Sequence, residues 1–86
     1  MKQIKDKNLL YQNRLLLMRK NMGYKQKYVA KLLAHNNSGT LSDWENGKSM
    51  PNGTNLIKLC ILYDTNLYKL YPDYYEYVNR TWKSNV

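Results

Sequence analysis

Thr40-Leu41-Ser42-Asp43-Trp44-Glu45-Asn46-Gly47-Lys48-Ser49-Met50-Pro51 reads as a short helix with a prescribed end. Leu41 and Trp44 fall three apart on one face, Glu45 follows, and Gly47 stands where a helix end takes a left-handed residue at no steric cost. Pro51 then forbids continuation. Upstream, a second helical run opens at Gln26, after Gly23, and sets Val29, Ala30, Leu32 and Leu33 at helical spacing. Between the two runs, His35-Asn36-Asn37-Ser38-Gly39 is polar and turn-forming, and Asn37 or Ser38 is placed to cap the later helix through its side-chain oxygen.

Working outward, the apolar spacing predicts a first helix from Asp6 or Asn8 to about Met22, with Leu15, Met18 and Met22 inward and Gly23 ending it. The second helix covers about 25–34 and the third runs to Asn46. A loop over 47–53 leads to Thr54 or Asn55 as the next cap, then to a helix over 55–63 with Leu56, Leu59, Cys60 and Leu62 or Tyr63 inside. A fifth short helix is expected at 66–71, interrupted by Pro72. No strand-like alternation, internal repeat or low-complexity segment is present, so the expected fold is all-α. Residues 1–7 form a basic flexible N-terminus, 8–71 a single domain, and 72–86 an aromatic extension with a candidate short C-terminal helix. At 86 residues the chain supports one modest core, burying roughly 60% of its unfolded surface.

Fourteen lysines and arginines against six acids give a net charge of +8 and a pI near 9.6. That balance favours a polyanionic partner, nucleic acid or an anionic membrane surface. The charge is uneven: residues 1–27 hold eight basic residues against Asp6 alone. The single cysteine, Cys60, excludes an intramolecular disulfide and a cysteine-rich zinc site, which fits a reducing cytoplasm. The apolar run Leu15 to Met18 is far short of the ~20 residues a membrane span needs, and Met1-Lys2-Gln3-Ile4-Lys5 opens no apolar signal segment. With one histidine and no paired carboxylates at catalytic spacing, no enzyme, metal or cofactor is expected.

Two short helices joined by a polar turn are the raw material of a helix-turn-helix, whose second helix reads a major groove. Met18-Arg19-Lys20, Gly23-Tyr24-Lys25-Gln26, Val29-Ala30-Lys31-Leu32-Leu33, the stretch 40–48, Pro51, Leu56-Ile57-Lys58-Leu59 and Asn66-Leu67-Tyr68-Lys69-Leu70 together resemble the lambda-repressor-like, Cro and XRE type, helix-turn-helix family. The resemblance covers about residues 9–71 and implies a five-helix fold that binds double-stranded DNA. It also implies that Arg19 and Glu45 form a partly buried ion pair between the first and third helices.

Ala30 lies where two such helices would cross, and Leu41 and Trp44 would anchor the third helix to the core. These three, with Arg19, Glu45 and Gly47, are the structural set. Gln26, at a helix start, is either a phosphate contact or a solvated residue, and Tyr24, Lys25, Lys27 and Lys48 are further phosphate candidates. Base reading falls to Asn37, Ser38, Thr40, Ser42, Asp43 and Asn46. Asparagine pairs with adenine, serine and threonine accept several partners, and aspartate can accept from cytosine. No arginine lies in that set, so the commonest guanine contact is missing.

One departure stands out. The distance from Gln26 to Leu41 is one residue longer than the family's, and Ala34-His35-Asn36-Asn37 replaces the usual glycine-containing turn. The extra residue must be absorbed between Ala34 and Thr40, which shifts the reading residues by up to one position. His35 is either a phosphate contact from the turn or an inert exposed histidine.

Beyond the resemblance, Tyr74, Tyr77 or Val78, and Thr81 or Trp82 recur at helical spacing. Such a stripe packs on its own core or on a second subunit, with Leu67, Leu70, Tyr74, Tyr77, Val78 and Trp82 as candidate dimer contacts. The leading expectation is a sequence-specific, repressor-like transcriptional regulator acting as a homodimer. The alternative is a protein-interaction module, antitoxin-like or adaptor, that uses its aromatic tail on a protein partner and binds little operator DNA.

Overall fold

The computed structural model describes residues 11–85. Among the described residues six helices run in order: α1 (Leu15–Asn21), α2 (Gln26–Leu32), α3 (Gly39–Glu45), α4 (Gly53–Leu62), α5 (Leu67–Leu70) and α6 (Pro72–Lys83). There is no strand among the described residues, in keeping with an all-α fold. The basic N-terminus at 1–7 and a helix start at Asp6 or Asn8 lie outside the described residues.

Leu15, Val29, Leu33, Leu41, Trp44, Leu59, Leu70 and two tyrosines, Tyr63 and Tyr71, form one buried cluster fed by every helix except α6. Met18, Tyr24, Leu56 and Cys60 pack on it half-buried. Burial pushes the phenols of Tyr63 and Tyr71 and the thiol of Cys60 upward, because each charged form would lose its hydration.

The first helix is shorter than its apolar spacing predicts. Residues 11–14 are not helical, because Asn13 takes over the backbone there. Its Oδ1 accepts the Leu15 N–H at 2.9 Å, while its Nδ2 donates to the carbonyls of Tyr11 (2.9 Å) and Trp44 (2.8 Å). One asparagine thus starts α1 and ties it to the end of α3. Met22, expected inward, is exposed, since α1 ends one residue before it and the chain turns at Gly23. Leu32 is likewise exposed, opposite the buried Val29 and Ala30.

Four consecutive helices end the same way. After α1, α2, α3 and α4, a residue in the left-handed region (Gly23, Ala34, Gly47, Asp64) is followed by an N–H that reaches back five residues along the chain. These bonds run from Tyr24 to Arg19, His35 to Ala30, Lys48 to Asp43 and Thr65 to Cys60, at 2.9 to 3.1 Å. The pattern satisfies carbonyls that a helix end otherwise orphans. Glycine takes this conformation freely, whereas Ala34 adopts φ +62 against its own Cβ.

The longer turn is absorbed here. Ala34 closes α2, Asn37 Oδ1 accepts the Gly39 N–H at 2.8 Å, and α3 begins at Gly39 with Ser38 making no side-chain cap bond. For α4 the cap is Asn52, which accepts the Asn55 N–H at 2.9 Å, rather than Thr54 or Asn55. Pro72 does not merely interrupt α5. It opens α6, where its missing N–H is an orphan donor in any case.

Ala34→Gly should raise stability by about 0.5–1 kcal/mol, since it removes the αL cost of alanine at some loss of chain entropy. Urea denaturation checks this. An unchanged or lowered midpoint would mean that Ala34 is not held at positive φ. Trp44→Ala should cost ~3–5 kcal/mol by emptying the core beneath α3, seen as loss of a cooperative melt.

Candidate nucleic-acid interface

Glu45, at the last turn of α3, is where three helices meet. Its side chain is 4% exposed and accepts from Arg19 Nε at 2.6 Å, Arg19 Nη2 at 3.2 Å and Gln26 Nε2 at 2.8 Å. Arg19 Nη1 also donates to the Tyr24 carbonyl at 2.9 Å, in the segment joining α1 to α2. The guanidinium fork matches the carboxylate in a bidentate pair, and the carboxylate keeps a third donor. The Glu45 hydrogen bond raises the Arg19 pKa further, against the opposing effect of desolvation.

Gln26 therefore sits differently from the simple reading of a helix-start residue. One amide hydrogen is committed to Glu45, and the side chain is half-buried between α2 and α3. Lys25 and Lys27 flank it exposed, Lys48 is exposed in the turn that closes α3, and Tyr24 is half-buried with its ring 5.3 Å from Tyr28 and 6.5 Å from Tyr63. The basic candidates thus border α3 from both ends of the motif.

Within α3, Leu41 and Trp44 are buried while Thr40, Asp43 and Asn46 are exposed and Ser42 is half-exposed. Asn46 Nδ2 donates to Ser42 Oγ at 3.3 Å, so these two are already neighbours on the outer face. Asn37 is exposed, but its oxygen is spent on the Gly39 N–H, which leaves its amide hydrogens free. Ser38 is half-buried. The face that remains is short, polar and uncharged except for Asp43.

His35 is neither an exposed residue nor a free one. It is half-buried, edge-on to Trp44 with ring centres 5.5 Å apart, and its Nδ1 is buried without a hydrogen-bond partner. Sequence spacing also did not reveal Asn13, whose amide holds the end of α3. The available signal was an asparagine two residues before an apolar run.

The C-terminal candidates divide. Leu70 is fully buried in the chain's own core and has no surface to offer a partner. Tyr74 packs on that core, edge-on to Tyr11, and stacks with half-buried Tyr77. Leu67, Val78 and Trp82 are exposed, as is Tyr75, and no residue of α6 is buried.

The helix-turn-helix family model matches residues 15–70, which begin with α1 and end with α5 and leave α6 outside. No curated protein and no solved structure matches the chain at a significant level. Among the described residues no helix is long and apolar enough to cross a membrane.

Glu45→Ala should cost ~3–5 kcal/mol, because it strands the Arg19 charge in a buried position. Arg19→Met combined with Glu45→Leu should recover most of that loss. Guanidinium denaturation of the three variants checks it, and a single substitution within about 0.5 kcal/mol of wild type would show the pair to be an ordinary surface contact.

Proposed function

We propose a function from one premise: this chain belongs to the helix-turn-helix family of DNA-binding domains. It acts as a transcriptional regulator that lays α3 in the major groove of duplex DNA, in the manner of a repressor. The observation that supports this best is the division of α3 itself. Leu41, Trp44 and Glu45 turn inward to the core and to Arg19, which leaves Thr40, Ser42, Asp43 and Asn46 outward on a helix whose C-terminal end is held by Arg19 and Asn13. Those four, with Asn37 and Ser38, read base edges. Asn46 suits adenine, and Asp43 discriminates by accepting from cytosine and repelling misplaced phosphate.

Lys25, Lys27, Lys48 and Tyr24 supply phosphate contacts, so much of the affinity is sequence-independent and weakens steeply with salt. Gln26 works in two directions, anchoring Glu45 with one amide hydrogen and keeping the other for a backbone phosphate. The chain pairs with a second copy through Leu67, Val78 and Trp82, with Tyr74 and Tyr77 beneath them, and spans an inverted repeat with half-sites about 34 Å apart.

A second reading has its own observation. α6 carries Tyr75, Val78 and Trp82 exposed and buries no side chain, as a surface for a different protein would. A protein-interaction module of that kind would bind little operator DNA.

Fluorescence anisotropy with mixed-sequence duplexes separates the two. Lys48→Ala should weaken binding about equally on every sequence and lower the slope of log affinity against log salt by about 0.9, with no change in melting temperature. Retention of no duplex above background at low salt leaves only the interaction reading. Sedimentation tests pairing: a dimer at micromolar concentration that Trp82→Ala dissociates is expected, whereas a monomer both with and without DNA contradicts it.

A further inference from the structure

The turn between α2 and α3 and the adjoining side of α2 wall a recess of which the contacts above use Lys27, Asn37 and Ser38 but neither Lys31 nor His35. A cavity of about 360 Å³ opens between α2 and the turn, with Lys27, Lys31, His35 and Asn36 on its walls beside Asn37 and Ser38. A second cavity, of about 310 Å³, lies against the same turn and reaches Thr40, and His35 borders both.

Lys27, Lys31 and His35 follow one another at four-residue steps, so three basic groups fall along one side of α2 and its end. Neither lysine is engaged in an ion pair; Arg19–Glu45 is the one salt bridge among the described residues. Among the described residues no carboxylate lines either cavity. A recess with ammonium groups, an imidazole and an amide, all of them donors, and no acid suits a ligand that only accepts hydrogen bonds.

We propose that this recess is a phosphate subsite, occupied by a backbone phosphodiester of the DNA whose bases face α3. The proposal rests on the DNA-binding reading above. Its placement follows from continuity: Asn37 and Ser38 wall the recess and Thr40 the neighbouring one, so a strand passing along the front of α3 meets the recess next.

The contact is linked to protons. Among the described residues, the ionisable groups facing the imidazole are Lys27 and Lys31 from α2. The turn adds amides and a hydroxyl, while α3 presents Trp44, with Asp43 and Glu45 outside the lining. A phosphate beside a histidine favours its charged form, so binding tightens as pH falls through the range in which histidines titrate. His35 is the only histidine of the chain, so the dependence has one candidate side chain.

The test uses the full chain, a labelled mixed-sequence duplex at fixed salt, and inorganic phosphate followed at the His35 imidazole resonances. Wild-type affinity for the duplex should rise roughly fivefold between about pH 7.5 and 5.5, the effect of one phosphate on one imidazole. His35→Gln should abolish that rise. Because His35 packs on Trp44, Lys27→Gln and Lys31→Gln, both at exposed positions, carry the test without risk to the core. Each should weaken binding equally on all sequences, and Lys31→Gln should lower the salt slope by about 0.9.

A pH-independent affinity together with an unchanged salt slope in Lys31→Gln overturns the proposal while leaving DNA binding intact. If no duplex binds, but inorganic phosphate shifts the His35 resonances in wild type and not in Lys31→Gln, the recess is a free-phosphate site and the DNA reading is what fails. Equal shifts with phosphate and with chloride also overturn it.

Discussion

The Glu45 carboxylate, almost wholly removed from solvent, holds two donors of Arg19 from α1 and one of Gln26 from α2. Each of the three helices it joins has seven residues, too short to be stable on its own. Their mutual orientation must come from tertiary contacts, and an ion pair with defined geometry fixes direction as well as distance. Leu41 and Trp44 supply the apolar burial that keeps α3 on the domain. Glu45 decides which way α3 is turned, and hence which residues are left outside.

Around that link the chain ends helices in a repeated manner. The same reach-back hydrogen bond closes α1 through α4, so each short helix has a defined stop. Asn13 and Arg14 fasten the start of α1, the former to the Trp44 carbonyl and the latter, through its N–H, to the Leu70 carbonyl. A domain of this size has little core to spare, and such fastenings make a rigid platform from short elements.

Much of this was legible where the sequence signal is local. Gly23 and Gly47 mark helix ends because the left-handed conformation is cheap for glycine, and the spacing of Leu41, Trp44 and Glu45 marks the inner side of α3. Legibility failed where an asparagine or a tertiary partner overrode local preference. Asn13 breaks an apparently continuous first helix, Asn52 caps α4 ahead of the expected Thr54 or Asn55, and Ala34 takes a glycine's conformation. No periodicity shows that Gln26 would turn to Glu45, or that His35 would lie against Trp44. In the tail, the sequence groups Leu70, Tyr74 and Trp82 as candidate dimer contacts. The bend at Tyr71 and Pro72 instead places the first inside the core and the last in solvent.

On the proposed function, the outward side chains of α3, held by Glu45, read DNA sequence. Selection of bound duplexes from a random pool tests it most directly, using the wild type, Asn46→Ala and Lys25→Ala. Wild type should enrich one motif, Lys25→Ala the same motif at lower recovery, and Asn46→Ala a motif with relaxed preference at one position. No enrichment by the wild type, or a motif unchanged by substitutions across Thr40, Ser42, Asp43 and Asn46, would contradict it.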